Sequence, residues 1–388
     1  MRSLARAGIP VIGIATEPRE AGLASRYGTR IVAPHPNPNH QPEAWLDLLT
    51  KLGRRQDEGG VIFPASDELV LFLSQHRNQL SPYFLLAIPP PGAAEVGLDK
   101  RRQYELAASL GIPHPQTCYP NNETETREVA EQLSYPVFVK PQHSHLWRWQ
   151  ADSNIKGIKV ASPGVLASVC APILSKGLKI AVQSIVPGPP ENLISVAVYL
   201  CGDQEVLAQY SARKIRQCPC EFGVATIAET VWEPEAIALA LRFLTGAGYH
   251  GVAHVEFKRD PRDGLLKLIE LNPRMWGHIQ LAIDAGVNFP LIQYLDLTGA
   301  APARQPEFRL GLRWLDVFSD INTFLWYYRR GEISILGWMS SCLPARSFSY
   351  WAWNDPGPFF KNALHGTCQL GRRFVQRYLR KTRPSSGR

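Results

Sequence analysis

The stretch LLKLIELNPRMWG, residues 265–277, decides the predicted fold. Apolar residues fill five of its first seven positions, as is typical of a buried strand. Glu270, Asn272 and Arg274 then stand at alternating positions, and alternation places all three side chains on one face of an extended strand. A carboxylate, an amide and a guanidinium on the same face indicate a polar site at the end of this strand.

The preceding segment, GVAHVEFKRD (251–260), completes a predicted hairpin around the turn Pro-Arg-Asp-Gly (261–264). Residues directly opposite each other in an antiparallel pair share a face. A register that pairs residue 256 with residue 270 therefore sets Glu256 beside Glu270, whereas a slip of one residue separates the two carboxylates. We expect the convergent register.

Two carboxylates and the amide oxygen of Asn272 lie close together in that register, and such a group requires a cation between its members. Ligands that are all oxygen suit Mg²⁺, which binds through one or two carboxylates and keeps waters or substrate phosphates. The alternative is a surface hairpin with solvated carboxylates. The apolar neighbours Ile269 and Leu271 disfavour this alternative, because they indicate that Glu270 is buried and an unpaired carboxylate is costly to bury.

Two lysines stand at special places upstream. Lys100 opens a predicted helix directly after Asp99, a good N-cap, and Lys140 ends the apolar strand VFVKP. Together with a dication, the two ammonium groups would bind a polyphosphate. Each lysine taken alone is better explained as a solvated side chain, so the prediction depends on the hairpin.

Length and composition describe an ordinary globular protein. The 388 residues suffice for two or three domains, with 45% hydrophobic and 20% charged residues. The longest apolar runs are far short of a bilayer span, and the N-terminus MRSLARAGIPV lacks a signal-peptide pattern, so we expect a cytoplasmic protein. The seven cysteines are scattered, which indicates free thiols in a reducing compartment. Cys218 and Cys220 form a C-x-C pair, but the sequence has no second cysteine pair that could complete a zinc site with them.

The positive charge is concentrated at the C-terminal end. Residues 301–388 hold 14 Lys/Arg against 5 Asp/Glu, whereas residues 1–300 hold 28 against 29, so the main body gives no reason to expect nucleic acid. The segment LGRRFVQRYLRK (370–381) carries an apolar stripe with basic residues around it. Three readings stay open: an interfacial helix on an anionic membrane, a nucleic-acid patch, or an amphipathic helix packed on the core.

The first 90 residues alternate short apolar strands with helical segments, which predicts a parallel α/β layer. The predicted strands are 9–14, 29–34, 59–64 and 84–89. Asp67 is expected to cap the helix through LVLFLSQH, and Gly8 to end a helix in SLARAG. Because a parallel unit normally begins with a strand, we expect either an upstream start codon or a domain without its first strand.

The order of motifs resembles the ATP-grasp superfamily, and within it the carboxylate–amine ligases related to D-aspartate ligase. The motifs are LDK, GIPHPQT, YPVFVKP, VQSIVPG, GVAHVEFKRD and LIELNPRMWG. The resemblance covers about residues 1–300 and implies an α/β (α+β) ATP-grasp fold. It implies a Rossmann-like pre-ATP-grasp subdomain at 1–98 and an ATP-grasp domain at 99–300, with lobes 99–182 and 183–300. A basic, aromatic, helical extension would occupy 301–388.

The resemblance also implies a role for each matching residue. Glu256, Glu270 and Asn272 would hold Mg²⁺ or Mn²⁺, and Arg274 would stabilise the transferred phosphoryl group or the substrate carboxylate. The ATP-binding residues would be Lys100 and Lys140 at the phosphates, Gln183, Ser184, Ile185 and Val186 at the adenine, and Glu191 at the ribose. The implied reaction phosphorylates a carboxylate to an acyl phosphate, which an amine then attacks.

Two segments depart from the family pattern or add to it. Where a glycine-rich lid is usual, QHSHLWRWQADSNIKG (142–157) has one glycine and two tryptophans, and serves either as a phosphate lid or as a substrate flap. Its candidate phosphate contacts are His143, His145, Arg148 and Lys156. Arg213, Lys214 and Arg216 stand on one predicted strand, where they would bind an acidic substrate or the acyl phosphate, or form a solvated edge. We take Arg213 and Lys214 as candidate catalytic residues.

Three functions from different classes fit these residues. The first is a ligase that acts on small-molecule, amino-acid-like substrates, in a family where homodimers are common. The second is an ATP-binding scaffold or sensor without turnover, and the third is a kinase that stops at the phosphorylated product. The intact set of Glu256, Glu270, Asn272 and Arg274 favours the ligase, because a decayed site is expected to lose its metal ligands first.

Overall fold

Four β-sheets carry the fold in the computed structural model, which describes residues 1–56, 59–143, 157–220, 222–305 and 307–364. Two are small parallel pairs near the N-terminus, one has four strands and one has seven. The mixture of parallel and antiparallel pairing matches the predicted α/β (α+β) class.

The N-terminal part contains the two parallel pairs, which confirms the four predicted strands in shorter form. Strand β1 (Ile12–Ala15) pairs with β2 (Thr29–Val32), and β3 (Gly60–Ile62) pairs with β4 (Phe84–Leu86). The helices here are α1 (Arg2–Arg6), α2 (Pro42–Gly53), α3 (Asp67–Gln75), α4 (Arg77–Leu80) and α5 (Pro91–Leu98). A buried cluster that includes Trp45, Phe72 and Leu80 joins them.

The cap of α3 corrects a sequence expectation. Ser66, not Asp67, is the N-cap, and its side chain accepts a hydrogen bond from the Leu69 amide at 3.3 Å. Asp67 is the first helical residue, so its carboxylate is available for another partner. The end of α1 is as predicted, because Gly8 adopts a φ of +80° directly after the C-cap residue Ala7.

The four-stranded sheet is antiparallel and lies mostly in the part of the chain that was predicted to be the first lobe. Its strands, in spatial order, are β5 (Thr117–Cys118), β8 (Ile180–Ser184), β6 (Val137–Pro141) and β7 (Ile158–Val160). Helices α7 (Glu123–Ala130) and α8 (Pro163–Leu174) pack on it through a shared apolar cluster. Helix α6 (Lys100–Ser109) begins at Asp99, whose side chain accepts a hydrogen bond from the Arg101 amide at 2.8 Å, as predicted.

The seven-stranded sheet is the centre of the molecule. Its strands, in spatial order, are β13 (Leu266–Asn272), β12 (Gly251–Arg259), β9 (Leu193–Leu200), β10 (Val206–Cys218), β11 (Val224–Thr230), β14 (Arg313–Leu315) and β15 (Ala345–Phe348). Helix α9 (Pro234–Gly246) covers one face, and α10 (Ile279–Asp284) with α11 (Phe289–Leu297) covers the other. Because both faces are covered, every residue of β9 is buried.

The predicted boundary at residue 300 cuts through this sheet. Strand β14 pairs with β11, with Trp314 opposite Ala228, and β15 extends the same edge. Helices α12 (Val317–Arg329) and α13 (Ile335–Cys342) lie between β14 and β15 in the chain. Because the C-terminal part contributes two strands, it is not the wholly helical extension that was predicted. The amphipathic stripe expected at 370–381 falls outside the described residues. Among those that are described, no helix is long and apolar enough to cross a membrane.

Candidate active site

The hairpin of β12 and β13 adopts the convergent register. Glu256 lies opposite Glu270, and His254 lies opposite Asn272. A β-bulge directly after Glu256 shifts the pairing by one residue toward the turn. The bulge keeps Phe257 and Leu268 in the apolar core while both carboxylates remain side by side. The prediction that these two acids converge is therefore confirmed.

Each oxygen ligand of the predicted metal site faces a cationic side chain. Glu256 accepts a hydrogen bond from Lys214 Nζ at 3.1 Å, and Glu270 accepts one from Lys100 Nζ at 2.6 Å. The amide oxygen of Asn272 accepts one from Arg274 Nη2 at 3.3 Å. Both members of the Lys214–Glu256 ion pair are largely buried, whereas in the Lys100–Glu270 pair the lysine is largely buried and the carboxylate is partly exposed.

This donor set fits Mg²⁺. Two carboxylates and an amide oxygen are hard oxygen ligands, which Mg²⁺ prefers. Three ligands do not fill its coordination shell, and Mg²⁺ completes that shell with water or substrate phosphates. In the described part of the chain no group of three or more His, Cys, Asp or Glu side chains could hold a metal. A cation at Glu256, Glu270 and Asn272 would thus be shared with a ligand.

Lys140 brings a second buried ammonium group to the site from the four-stranded sheet. Its Nζ donates to Gln183 Oε1 at 2.8 Å and to Tyr104 OH at 3.3 Å. Burial, the nearby Lys100 ammonium and the opposing Glu270 carboxylate together lower the pKa of Lys140 to about 7. Lys140 is therefore poised to gain from an anion beside it.

Tyr104 fixes the junction of the two sheets. Its hydroxyl, on α6, donates to the backbone oxygen of Ile269 at 2.5 Å, one residue before Glu270 on β13. Burial raises the pKa of Tyr104, so the hydroxyl stays protonated and can donate. This contact holds the N-terminal turn of α6, with Lys100, against the carboxylates.

The predicted adenine segment connects the two large sheets. Residues 185–192 run from the end of β8 to the start of β9, which is the position of a hinge between lobes. The side chain of Gln183 is engaged by Lys140 and by Thr117, whose Oγ1 accepts from Gln183 Nε2 at 2.7 Å. Ile185 donates its amide to Pro136, and Val186 is buried.

The two remaining polar groups of this segment face different surroundings. Ser184 Oγ is buried without a hydrogen-bond partner in the described structure. Glu191 is exposed in a short 3₁₀ turn, Pro190–Asn192. Contacts of these residues and of Gln183, Ile185 and Val186 with adenine or ribose stay predictions.

The three basic residues of β10 contact three different acidic partners. Lys214 reaches Glu256, whereas Arg213 points to the opposite face and pairs with Glu229 of β11 at 2.8 Å. Arg216 is buried and forms two hydrogen bonds, of 2.9 and 2.7 Å, with Asp320 of α12. The three side chains therefore do not form one anion site or a solvated edge, and of the three Lys214 alone contacts Glu256 or Glu270.

Two residues at the site were missed by the sequence interpretation. Asp67 accepts a hydrogen bond from Arg274 Nε at 2.7 Å, which ties the N-terminal part to the site. His254 Nδ1 lies 3.5 Å from Asn272 Nδ2, and its ring stacks on Trp276. Burial, with Lys214 and Arg274 nearby, lowers the pKa of His254 to about 3, so the ring is a neutral acceptor. The sequence did contain a signal for His254: it stands two residues before Glu256, so alternation places both side chains on the same face of the strand.

The candidate lid is described only at its ends. His143 Nε2 lies 3.3 Å from Asp99 Oδ2, and Gln142 Nε2 donates to Asp99 Oδ1 at 2.9 Å. Residues 144–156, with His145, Arg148 and Lys156, lie outside the described residues. Whether the segment acts as phosphate lid or substrate flap stays a prediction.

Comparison with known proteins gives consistent matches. The family described as "ATP-grasp in the biosynthetic pathway with Ter operon" matches residues 200–317. D-aspartate ligase of Enterococcus faecium is 24% identical over 240 residues, which are 60% of this chain and 57% of the relative. D-alanine–D-alanine ligase of Neisseria meningitidis is 30% identical over 223 residues, 52% of this chain and 68% of the relative. The chain thus spans less than two thirds of the first relative.

A solved structure confirms the fold. The biotin carboxylase domain of 2-oxoglutarate carboxylase from Hydrogenobacter thermophilus, determined with MgADP, ADP and bicarbonate, aligns with a TM-score of 0.60 at 17% identity. The alignment covers 80% of this chain and 69% of that chain. At this identity the likeness concerns the architecture, which agrees with the predicted ATP-grasp fold.

Proposed function

The chain belongs to the ATP-grasp carboxylate–amine ligases, and from this premise we propose that it joins a small-molecule carboxylate to an amine with ATP and Mg²⁺. The carboxylate would be phosphorylated to an acyl phosphate, and attack by the amine would release phosphate. The D-aspartate and D-alanine–D-alanine ligases among the relatives support substrates that resemble amino acids.

One observation carries the proposal. The hairpin register sets Glu256 opposite Glu270, with Asn272 two residues further on, and three buried or largely buried lysines surround them. Lys100 and Lys140 come from the first lobe, and Lys214 comes from the central sheet. Oxygen ligands for a dication beside ammonium groups for phosphates form the site that phosphoryl transfer requires.

The residues then have distinct tasks. Mg²⁺ held by Glu256, Glu270 and Asn272 would neutralise charge on the ATP phosphates. Lys140 and Lys100 would bind phosphate oxygens, and Lys100 would exchange its contact with Glu270 for one with ATP. Arg274, held in place by Asp67, would bind the substrate carboxylate or the phosphoryl group in transfer.

Lys214 would stabilise the acyl phosphate on the inner side of the site. It reaches Glu256 from β10, whereas Arg213 is turned away and has no part in the proposed chemistry. Ser184, Ile185 and Val186 would bind adenine in the hinge, and Glu191 would bind the ribose. Since ATP is the cosubstrate, we place the protein in the cytoplasm; a homodimer stays a prediction.

ADP release tests the proposal. Purified protein with Mg²⁺ and ATP is offered pools of amino acids, hydroxy acids and amines, and Glu270→Ala serves as the inactive control. We expect release that needs one carboxylate and one amine and that falls at least about a hundredfold in the variant. Circular dichroism checks that the variant is folded.

The other outcomes separate the competing functions. ADP release that requires the carboxylate and is indifferent to the amine would indicate a kinase. ATP binding without turnover over all pools would indicate a scaffold or sensor. Full activity of folded Glu270→Ala would refute the proposed site.

A further inference from the structure

Exposed apolar side chains are concentrated in the C-terminal part of the described chain. Among the described residues, nineteen large apolar side chains are exposed, and ten of them lie within residues 321–364. Single exposed apolar residues are normal on a protein surface, but a dense group marks an interaction site. We name this group the C-terminal apolar surface.

Two helices supply most of this surface. On α12, Ile321, Leu325 and Tyr328 follow at helical spacing, so they form one exposed stripe. On α13, Leu336 is 79% exposed, and Ile335 and Met339 are exposed beside it. Leu343 follows directly after α13 and is 71% exposed. No residue of α13 is buried, so this helix gains little from the core and presents its apolar side to the outside.

Aromatic contacts connect the two helices and the last described segment. Phe324 of α12 stacks on Trp338 of α13 with ring centroids 4.7 Å apart. At the other end of α12, Phe318 contacts Phe359 at 5.1 Å, and Phe359 contacts Trp351 at 5.3 Å. The same segment carries Trp353, which is 88% exposed, and the exposed residues Phe360 and Leu364. The surface is thus continuous through packed rings.

The charges around this surface are positive. Asp320 and Asp355 are buried in ion pairs with Arg216 and Arg2, and Glu332 pairs with its neighbour Arg330. Arg329, Arg330 and Arg346 are exposed. The chain continues beyond Leu364 for 24 residues that contain seven Lys/Arg and no Asp/Glu. Any partner therefore meets apolar side chains flanked by cations.

We propose that the C-terminal apolar surface docks on an anionic lipid bilayer. Exposed Trp, Leu and Ile side chains enter the headgroup boundary, and flanking Lys and Arg residues attract anionic headgroups. A second copy of the chain is disfavoured as the occupant, because the two basic surfaces would repel each other. The inference does not depend on the ligase activity, and it locates that activity at a membrane surface.

Vesicle sedimentation of the full chain tests the inference. The probes are vesicles of phosphatidylcholine alone and of phosphatidylcholine with phosphatidylglycerol. We expect binding to the anionic vesicles that weakens at high salt, and little binding to the neutral ones. The double variant Leu336→Glu/Leu343→Glu is expected to lower the vesicle-bound fraction by about tenfold or more. Because both side chains are mostly exposed, its thermal unfolding should match the parent.

Matched controls make the result specific. Val165→Glu places the same charge at an exposed apolar residue of α8, in the other lobe, and should bind like the parent. Replacing the exposed Arg329 and Arg346 by glutamine should weaken binding at low salt. Equal loss in Val165→Glu, equal binding to neutral vesicles, or no binding would overturn the inference. So would a dimer that the double variant dissociates and that binds no vesicles.

Discussion

At Lys140 the protein holds an ammonium group between two neutral partners and near a second cation. Gln183 and Tyr104 accept its hydrogen bonds, and Lys100 raises the cost of its charge. The resulting pKa of about 7 means that neutral and charged forms coexist at ordinary pH in the ATP-free protein. The phosphates proposed to bind beside Lys140 would favour the charged form, so ATP binding would be linked to proton uptake at this residue.

We predict that the KM for ATP rises with pH above about 7. Each binding event then takes up a proton, so affinity falls by up to about tenfold per pH unit, while kcat at saturating ATP changes little. Lys140→Arg should remove the slope, because a guanidinium stays charged over this range. Steady-state kinetics at fixed, saturating Mg²⁺ measure both constants. An unchanged slope in Lys140→Arg would assign the titration to another group.

The types of the site residues were predictable from sequence, but most of their partners were not. Lys100, Lys140 and Glu270 could be selected because Lys100 begins a helix and the other two stand near the ends of apolar strands. The contact of Lys100 with Glu270 joins residues 170 positions apart, and those of Lys140 with Gln183 and Tyr104 join residues 43 and 36 positions apart. No local spacing encodes such pairs. Asp67 was assigned to a helix cap for the same reason, since its partner Arg274 is 207 residues away.

At the scale of elements, alternation in β12 and β13 was the decisive signal. The apolar residues of both strands must face the core, and this fixes which side chains of each strand point toward the site. The pairing of Glu256 with Glu270 could therefore be deduced. The bulge after Glu256 could not, because it depends on how Phe257 fits the core. The same alternation, applied to β10, separates Arg213 from Lys214, although the sequence interpretation grouped them.

These two neighbours give a matched pair of variants. Lys214→Ala leaves Glu256 without its buried cation and is expected to lower kcat/KM by about a hundredfold or more. Arg213→Ala removes a half-exposed pair with Glu229 on the other face and should change kcat/KM by less than about twofold. The ratio of the two effects, from ADP release, is the measurement. Similar losses in both variants would contradict the assignment of the faces.

At the scale of the whole molecule, the N-terminal part is fastened to both later parts of the chain. Arg274 holds Asp67, and Arg2 holds Asp355 with Nε and Oδ2 2.7 Å apart. Asp355 is almost fully buried and accepts further hydrogen bonds from Ser25 and the Arg26 amide. The C-terminal part thus closes over the first subdomain, which a sequence division at residues 98 and 300 does not reveal.

We therefore predict that Asp355→Ala loosens the N-terminal subdomain. Loss of the carboxylate removes the anionic partner of the largely buried Arg2 and the acceptor of the Ser25 hydroxyl, which costs about 3–5 kcal/mol. Arg2 keeps its hydrogen bonds to the backbone oxygens of Tyr350 and residue 355. Hydrogen exchange of residues 1–98 should accelerate more than that of the central sheet. Arg6→Ala, which removes an exposed hydrogen bond to Asn354, is the neighbouring control and should have little effect.

The pH dependence of this contact has a definite sign. Burial opposes ionisation of Asp355, but Arg2, the Arg26 amide and Ser25 together lower its pKa below the usual carboxyl value. The stabilisation is therefore complete above about pH 4, the pKa in the unfolded chain, and is lost as pH falls further. Exchange protection of residues 1–98 should decline in acid in the parent and be flatter in Asp355→Ala. An equal decline in both would place the acid-sensitive contact elsewhere in the molecule.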